Sequence, residues 1–159
     1  MIDTHFNGDV NAFLNSYGRG DRLAGIEFGN FVNVVQQLRD DKKLTVIILA
    51  HREAGTVKNP NGTDYSTFRP QLSKLKLDPM VKFIDGVFML DHQISYTNVD
   101  REKGTGKAVG GTNRVLVTDG TAGVEAKNRL GLKPVIVLGN SHQEAWANFS
   151  AAVAEARKV

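Results

Sequence analysis

The spacing of apolar residues divides the first half of the chain into segments typical of loops, a helix and a buried strand. Residues 7–25 are polar and glycine-rich, which predicts a loop. Apolar residues then recur three and four positions apart through residues 26–40, which predicts a helix with one apolar stripe. Residues 44–50, Leu-Thr-Val-Ile-Ile-Leu-Ala, form a continuous β-branched run, typical of a strand covered on both faces. Residues 52–77 are rich in turn residues and predict a long loop.

The second half of the chain predicts short strands and two helices. Asp78 followed by Pro79 predicts a short helix that ends near Phe83. Ser141 and Glu144 form a capping box that opens a helix to about Arg157. Four apolar stretches predict strands, at residues 86–90, 94–99, 114–118 and 134–138, with a hairpin around the glycine-rich connection 100–112. Buried strands that alternate with helices indicate an α/β layer fold, with the sheet turning antiparallel at one edge.

Composition limits the class of protein without naming a function. A chain of 159 residues with 41% hydrophobic and 23% charged residues is expected to form one globular domain. The absence of cysteine excludes disulfides and thiolate metal sites, and the four scattered histidines do not predict a zinc site. No signal peptide or bilayer-length apolar run is visible, so we expect a cytoplasmic protein without membrane contact. A net charge of +3 permits a nucleic-acid partner but does not require one.

Residues 104–107, Gly-Thr-Gly-Lys, resemble the end of a phosphate-binding loop motif. That motif needs a glycine where Arg101 stands and a Ser or Thr where Ala108 stands. It also runs from a strand into a helix, whereas this segment lies between two predicted hairpin strands. We therefore interpret it as a basic turn.

Two polar residues are candidates for a site at the end of a predicted strand. Asp3 follows Met1-Ile2, and a carboxylate at the carboxyl end of a strand can organise magnesium; the alternative is a solvated N-terminal aspartate. His51 follows the run 44–50, where an imidazole can hydrogen-bond a phosphate or an attacking water; the alternative is a histidine bonded to backbone.

Two groups of basic residues are candidates for binding phosphates. Lys127 and Arg129 lie two positions apart, so on an extended segment both would face one anion, unless they form an ordinary basic surface loop. The segment 52–82 has a charge of +3 and carries aromatic residues, which suits the binding of single-stranded nucleic acid. The alternative is a solvated loop, which could have the same composition. The candidate contacts of this segment are Arg52, Lys58, Arg69, Lys74 and Lys76.

The order of four short motifs resembles a family of phage nucleotide-binding proteins. The motifs are Val-Ile-Ile-Leu-Ala-His-Arg-Glu at 46–53, Pro-Gln-Leu-Ser-Lys-Leu at 70–75, Ile-Asp-Gly-Val at 84–87 and Ala-Lys-Asn-Arg at 126–129. Together they resemble the C-terminal two-thirds of RecA-like phage P-loop ATPases, which include single-strand-annealing recombination ATPases. Residues 127–131 are also similar to the finger segment of hexameric RecA-like helicases.

This resemblance implies a fold, ligands and residue roles. The fold would be a partial RecA-like three-layer α/β domain, mainly parallel, truncated at its N-terminus. Asp3 and Thr4 would lie at ATP, with Asp3 on the Mg²⁺ side, and His51 would sense the nucleotide. Lys127 and Arg129 would reach the nucleotide of a neighbouring copy in a homo-oligomer that acts on single-stranded DNA in recombination or replication in a bacterial cytoplasm.

The phosphate loop of that family has no counterpart in these 159 residues. We therefore expect feeble or absent ATPase activity from this chain alone. The alternatives are a non-catalytic nucleic-acid-binding or assembly module derived from the same fold, and a fragment of a RecA-like helicase.

Overall fold

The computed structural model describes residues 6–100 and 105–158, which form four helices and seven strands. The helices are α1 (Val10–Leu14), α2 (Arg19–Lys42), α3 (Lys74–Phe83) and α4 (His142–Ala156). The strands are β1 (Arg52–Val57), β2 (Tyr65–Pro70), β3 (Gly86–Val87), β4 (Met89–Asp100), β5 (Thr105–Val117), β6 (Lys127–Asn128) and β7 (Val135–Gly139). They divide into two compact units, Met1–Glu53 with Pro70–Ile84 and Ala54–Arg69 with Asp85–Val159.

The first unit begins with two helices where we predicted a loop. The Asp9 carboxylate caps α1 by accepting hydrogen bonds from the amides of Asn11 and Ala12, at 2.8 and 3.0 Å. Helix α2 then starts at Arg19, seven residues before the predicted helix. The loop prediction for residues 7–25 is wrong. We took Gly20 as a loop glycine, but it allows close packing on α1, because a Cβ there would lie 2.7 Å from the Phe13 carbonyl oxygen.

Helix α3 completes the core of this unit. It begins at Lys74, so the predicted start at Asp78 is wrong and Pro79 lies inside the helix. Its N-terminal end is tied to α2, because Ser73 Oγ and Lys76 Nζ donate to Asp21 Oδ1 at 3.1 and 2.8 Å. The buried residues between the two helices are Val32, Leu77 and Met80, with Phe28, Leu72, Val81 and Ile84 packed around them.

Residues 44–50 are not the buried strand that we predicted. Every residue of this run is exposed, and none belongs to a strand of the described chain. The β-branched residues of this run favour burial in a sheet. A strand is buried in a sheet only where a neighbouring strand pairs with it. The neighbouring segment 52–77, predicted as a loop, instead contains the paired strands β1 and β2.

The second unit is built on a three-stranded sheet in the order β4-β5-β7. The predicted hairpin is confirmed as β4 and β5, which are longer than expected; residues 101–104 of its connection lie outside the described chain. The capping box is confirmed: Ser141 Oγ accepts from the Glu144 amide at 3.2 Å, and the Glu144 side chain accepts from the Ser141 amide. Helix α4 packs on the sheet over Leu132, Ile136 and Leu138.

The parallel RecA-like three-layer fold is therefore wrong for this structure. β3 pairs with β6, β4 with β5, and β5 with β7, all antiparallel. Within residues 6–100 and 105–158, the one parallel contact is an isolated bridge between Phe68 and Val124. The run 44–50, which would have supplied an inner parallel strand, is unpaired. Nor is any helix of this described part long and apolar enough to span a bilayer.

Two glycines of α2 provide a matched test of this packing. Gly29→Ala should stabilise the protein by about 0.5–1 kcal/mol, because nothing lies within 4 Å of the added Cβ and alanine is the better helix former. Gly20→Ala should instead destabilise it by about 1–3 kcal/mol, because the Cβ overlaps a main-chain oxygen of α1. Urea denaturation followed by helical circular dichroism measures both; equal effects would show that α1 does not pack on Gly20.

Candidate functional site

Lys127 lies in the short strand β6, and Arg129 follows that strand in a bend. In the ladder between β3 and β6, Val87 pairs with Lys127 and Gly86 with Asn128. The Arg129 amide then donates to the Asp85 carbonyl oxygen at 2.9 Å. β6 ends at Asn128, so the strand alternation that would put Lys127 and Arg129 on one side does not extend to Arg129.

The two cations are close enough to influence one another. Lys127 is half-buried, and removal of its ammonium from water is the main cause that lowers its pKa from the ordinary 10.5. The positive charge of Arg129 lowers the pKa of Lys127 further, and the carboxylate of Asp85 partly opposes both effects. The structure thus brings Lys127, Arg129 and Asp85 together in one cluster, which we call the cation cluster.

Asn128, between the two cations, anchors the segment through its side chain. Its Nδ2 donates to the Leu132 carbonyl oxygen at 2.7 Å, and its Oδ1 accepts from the Leu132 amide at 3.1 Å. The same Nδ2 lies 3.1 Å from Asp119 Oδ1. Gly131, with φ of +67°, makes the turn between the two bonded residues, a conformation that favours glycine.

The frame beneath this turn is buried. Leu132 belongs to the core of the second unit, and Thr118 is fully buried. Thr118 Oγ1 donates to the Lys133 carbonyl oxygen at 2.6 Å, and the Thr118 amide donates to the Pro134 carbonyl oxygen at 3.0 Å. Sequence reasoning missed Asn128 as a positioning residue and Asp85 as part of the cluster. The spacing of Lys127 and Arg129 was the available signal, and it says nothing about the residue between them.

The other predicted site residues lie elsewhere. His51 belongs to the first unit, where it is exposed, directly precedes β1 and accepts a hydrogen bond at its carbonyl oxygen from the Gln71 amide at 2.7 Å. Its role as a nucleotide sensor stays a prediction, because the strand that should have carried it is not formed. Asp3 and Thr4 lie outside the described residues.

The five basic residues predicted to contact nucleic acid have different surroundings. Lys58 pairs with Asp64, and that hydrogen bond is the main cause of the lowered pKa of Asp64. Lys76 pairs with Asp21 at 2.8 Å and likewise lowers the pKa of the Asp21 carboxyl. Arg52 and Arg69 lie exposed in β1 and β2, and Lys74 is exposed at the start of α3. Lys58 and Lys76 are therefore engaged in ion pairs within the protein.

Comparison with known proteins identifies the family. The family model described as AAA domain matches residues 9–130, which include the cation cluster. The chain belongs to the AAA domain family. This membership makes it a domain of the nucleotide-binding, ATPase type. No curated protein and no solved structure matches the chain.

Proteins of the AAA domain family typically use ATP and Mg²⁺. Lys127 and Arg129 suit the phosphate oxygens of such a ligand, since both present donors with positive charge. No group of three or more His, Cys, Asp or Glu in residues 6–100 and 105–158 could hold a metal ion. The charge and hydrogen-bond donors of Lys127 and Arg129 are thus compatible with a phosphate ligand.

The pKa of Lys127 provides a test of the cluster. Arg129→Gln should raise the pKa of Lys127, because a neighbouring cation is removed, and Asp85→Asn should lower it further. NMR titration of the lysine side chains measures both shifts, with the remaining lysines as internal controls.

The same shift has a consequence for stability. Because the folded pKa of Lys127 lies below 10.5, the unfolded chain binds more protons between the two values. The free energy of unfolding should therefore rise as pH increases through the folded pKa toward 10.5, and Arg129→Gln should reduce that rise. A Lys127 pKa that responds to neither substitution would contradict the cluster.

Proposed function

We propose that the cation cluster contacts the phosphates of a nucleotide in an ATPase-type assembly. Lys127 and Arg129 act in trans, on a nucleotide whose phosphate loop is supplied by a neighbouring subunit. The observation that carries this proposal is the half-buried Lys127, whose pKa the charge of Arg129 lowers, next to the anchored Asn128 in an AAA domain.

The electrostatics of the cluster favour an anionic ligand. Two cations face one carboxylate, so the cluster has an excess of positive charge, and Lys127 is partly removed from water. A phosphate relieves the repulsion between the cations and accepts charge-assisted hydrogen bonds from both. Because Asn128 already holds the backbone, little conformational entropy remains to be lost on binding.

The trans arrangement is supported by the sequence of this chain. Its 159 residues contain no Gly-x-x-x-x-Gly-Lys followed by Ser or Thr, so the backbone cradle for a triphosphate must come from other residues. Two cations without that cradle have the chemistry of a finger, which stabilises charge on a phosphoryl group that another subunit binds.

Single-stranded DNA is the polymer that we propose for this assembly, in phage recombination or replication. Support comes from the motif resemblance and from the exposed basic residues Arg52, Arg69 and Lys74. Lys58 and Lys76, which each pair with a carboxylate of this chain, complete the set.

A non-catalytic nucleic-acid-binding or assembly module is the second candidate. The observation in its favour is the same absence of a phosphate loop from the sequence. The two candidates differ in whether nucleotide changes the binding of DNA.

Phosphate binding can be tested with a matched pair of double variants. Lys127→Ala with Arg129→Ala should weaken binding of a fluorescent ATP analogue by about 2 kcal/mol, roughly thirtyfold, since two charge-assisted contacts are lost. Lys107→Ala with Lys158→Ala removes the same charge elsewhere in the unit and should change affinity by less than about threefold. Equal losses in the two variants, or ATP turnover that survives the first, would argue against the finger.

DNA binding can be tested with a labelled oligothymidylate at about 50 and about 200 mM salt, with and without ATP. The proposed function predicts salt-sensitive binding that ATP changes. Salt-sensitive binding that is indifferent to ATP favours the module. Absence of binding at both salt concentrations would remove DNA from both candidates.

A further inference from the structure

The loop that leads to the cation cluster is closed at its base by one exposed carboxylate. β5 ends at Val117, and Asp119 lies just beyond its end. The chain then returns through residues 120–126 to Lys127 in β6. Where the two ends of this loop meet, Asn128 Nδ2 donates to Asp119 Oδ1 at 3.1 Å. Asp119 therefore joins the first end of the loop to the segment that carries Lys127.

Backbone contacts hold the same loop. A Cβ on Gly120 would lie 3.2 Å from the Ala126 carbonyl oxygen, so the two ends of the loop pass close to one another. Further along, the Thr121 amide donates to the Val124 carbonyl oxygen at 2.9 Å. Because the loop is bonded within itself, its base determines where Lys127 begins.

The bond to Asp119 completes the hydrogen bonds of the Asn128 amide group. Asn128 Nδ2 donates to the Leu132 carbonyl oxygen at 2.7 Å, and Asn128 Oδ1 accepts from the Leu132 amide at 3.1 Å. The second N–H of Nδ2 has Asp119 as its acceptor. Hydrogen bonds to an ionised group are roughly twice as strong as those between neutral groups. Asp119 is therefore the strongest acceptor that holds this side chain.

Asp119 reaches the cations through Asn128 rather than by direct attraction. Among the described residues, the charged groups that act on the pKa of Lys127 are Arg129 and Asp85. Asp119 bonds only the residue between the two cations.

We propose that Asp119 is a positioning residue for the cation cluster and acts through the side chain of Asn128. It fixes the chain between Lys127 and Arg129, so that both cations stay where a phosphate can contact them. The contact with phosphate rests on the proposed function, whereas the effect of Asp119 on Lys127 can be measured without nucleotide.

Two substitutions of Asp119 in the full chain separate its hydrogen bond from its charge. Asp119→Ala and Asp119→Asn remove the same negative charge, but only asparagine keeps an oxygen that accepts from Asn128 Nδ2. Asp119→Ala should raise the pKa of Lys127 toward 10.5, because a looser segment exposes Lys127 to water and separates it from Arg129. Loss of the charge alone would lower that pKa, since a carboxylate favours the protonated lysine. Asp119→Asn should therefore not raise it.

Asn128→Ala tests the link through which Asp119 acts. This neutral substitution should also raise the pKa of Lys127, and adding Asp119→Ala to it should raise the pKa no further, because the two residues act as one unit. Asn148→Ala is the matched control. Asn148 Nδ2 donates to the carbonyl oxygens of Val137 and Leu138 at 3.2 and 3.4 Å, so its loss removes similar bonds from the same unit without changing the pKa of Lys127.

NMR titration of the lysine side chains measures these pKa values in the absence of nucleotide. Asp119 is exposed, so its two variants should keep the far-UV spectrum of the unsubstituted protein, and they carry the test even if Asn128→Ala unfolds. With a fluorescent ATP analogue in excess, Asp119→Ala should bind about threefold more weakly than Asp119→Asn.

The positioning role is overturned if Asp119→Ala lowers the pKa of Lys127 or leaves it unchanged, or if Asp119→Asn raises it equally. It is also overturned if the effects of Asp119→Ala and Asn128→Ala add. Failure of the proposed function gives a different result: the pKa of Lys127 responds as stated, and no variant binds the ATP analogue. That result would support the positioning of Lys127 by Asp119 and remove the phosphate from the cation cluster.

Discussion

One side chain, that of Asn128, bonds both backbone polar groups of Leu132, and the candidate site depends on this clamp. Leu132 is buried with Ile136 and Leu138, so the packing of α4 on the sheet fixes the position of the clamp. The chain direction at Asn128 then sets where Lys127 and Arg129 lie. The positive charge of Arg129 lowers the pKa of Lys127, and folding compensates for that repulsion.

The local elements were predictable where short-range interactions determine them. The capping box of Ser141 and Glu144 is readable because its bonds join residues three apart. The hairpin of β4 and β5 follows from apolar runs around a glycine-rich connection. Residues 7–25 were misread because Gly20 has a tertiary reason to be glycine, close contact with Phe13, and that contact is invisible in a single sequence.

Sheet direction could not be predicted for a related reason. A continuous apolar run such as residues 44–50 indicates that both faces of a strand prefer burial, and we took that preference as evidence for an inner parallel strand. The structure leaves the run exposed and pairs β5 antiparallel with both its neighbours. The apolar side chains of residues 44–50 therefore predicted that the run favours burial, but they did not show which part of a protein would bury it.

The sequence predicted the spacing of the two cations of the candidate site, but not the residues that surround them. The spacing of Lys127 and Arg129 predicted a shared direction, which stays a prediction because Arg129 lies in a bend after β6, although the positive charge of Arg129 does lower the pKa of Lys127. The clamp by Asn128, the carboxylate of Asp85 and the ion pair between Lys76 and Asp21 join residues through folded contacts.

The most direct measurement of this account follows the side chain of Lys127 by NMR while ATP is added in large excess, because this chain has no phosphate loop and the cation cluster alone binds phosphates weakly. If the phosphates contact the cation cluster, the charged ammonium is stabilised, and the pKa of Lys127 rises toward its ordinary value as the site fills. A pKa of Lys127 that stays constant while the signals of other lysines move would place the phosphates elsewhere and contradict the account.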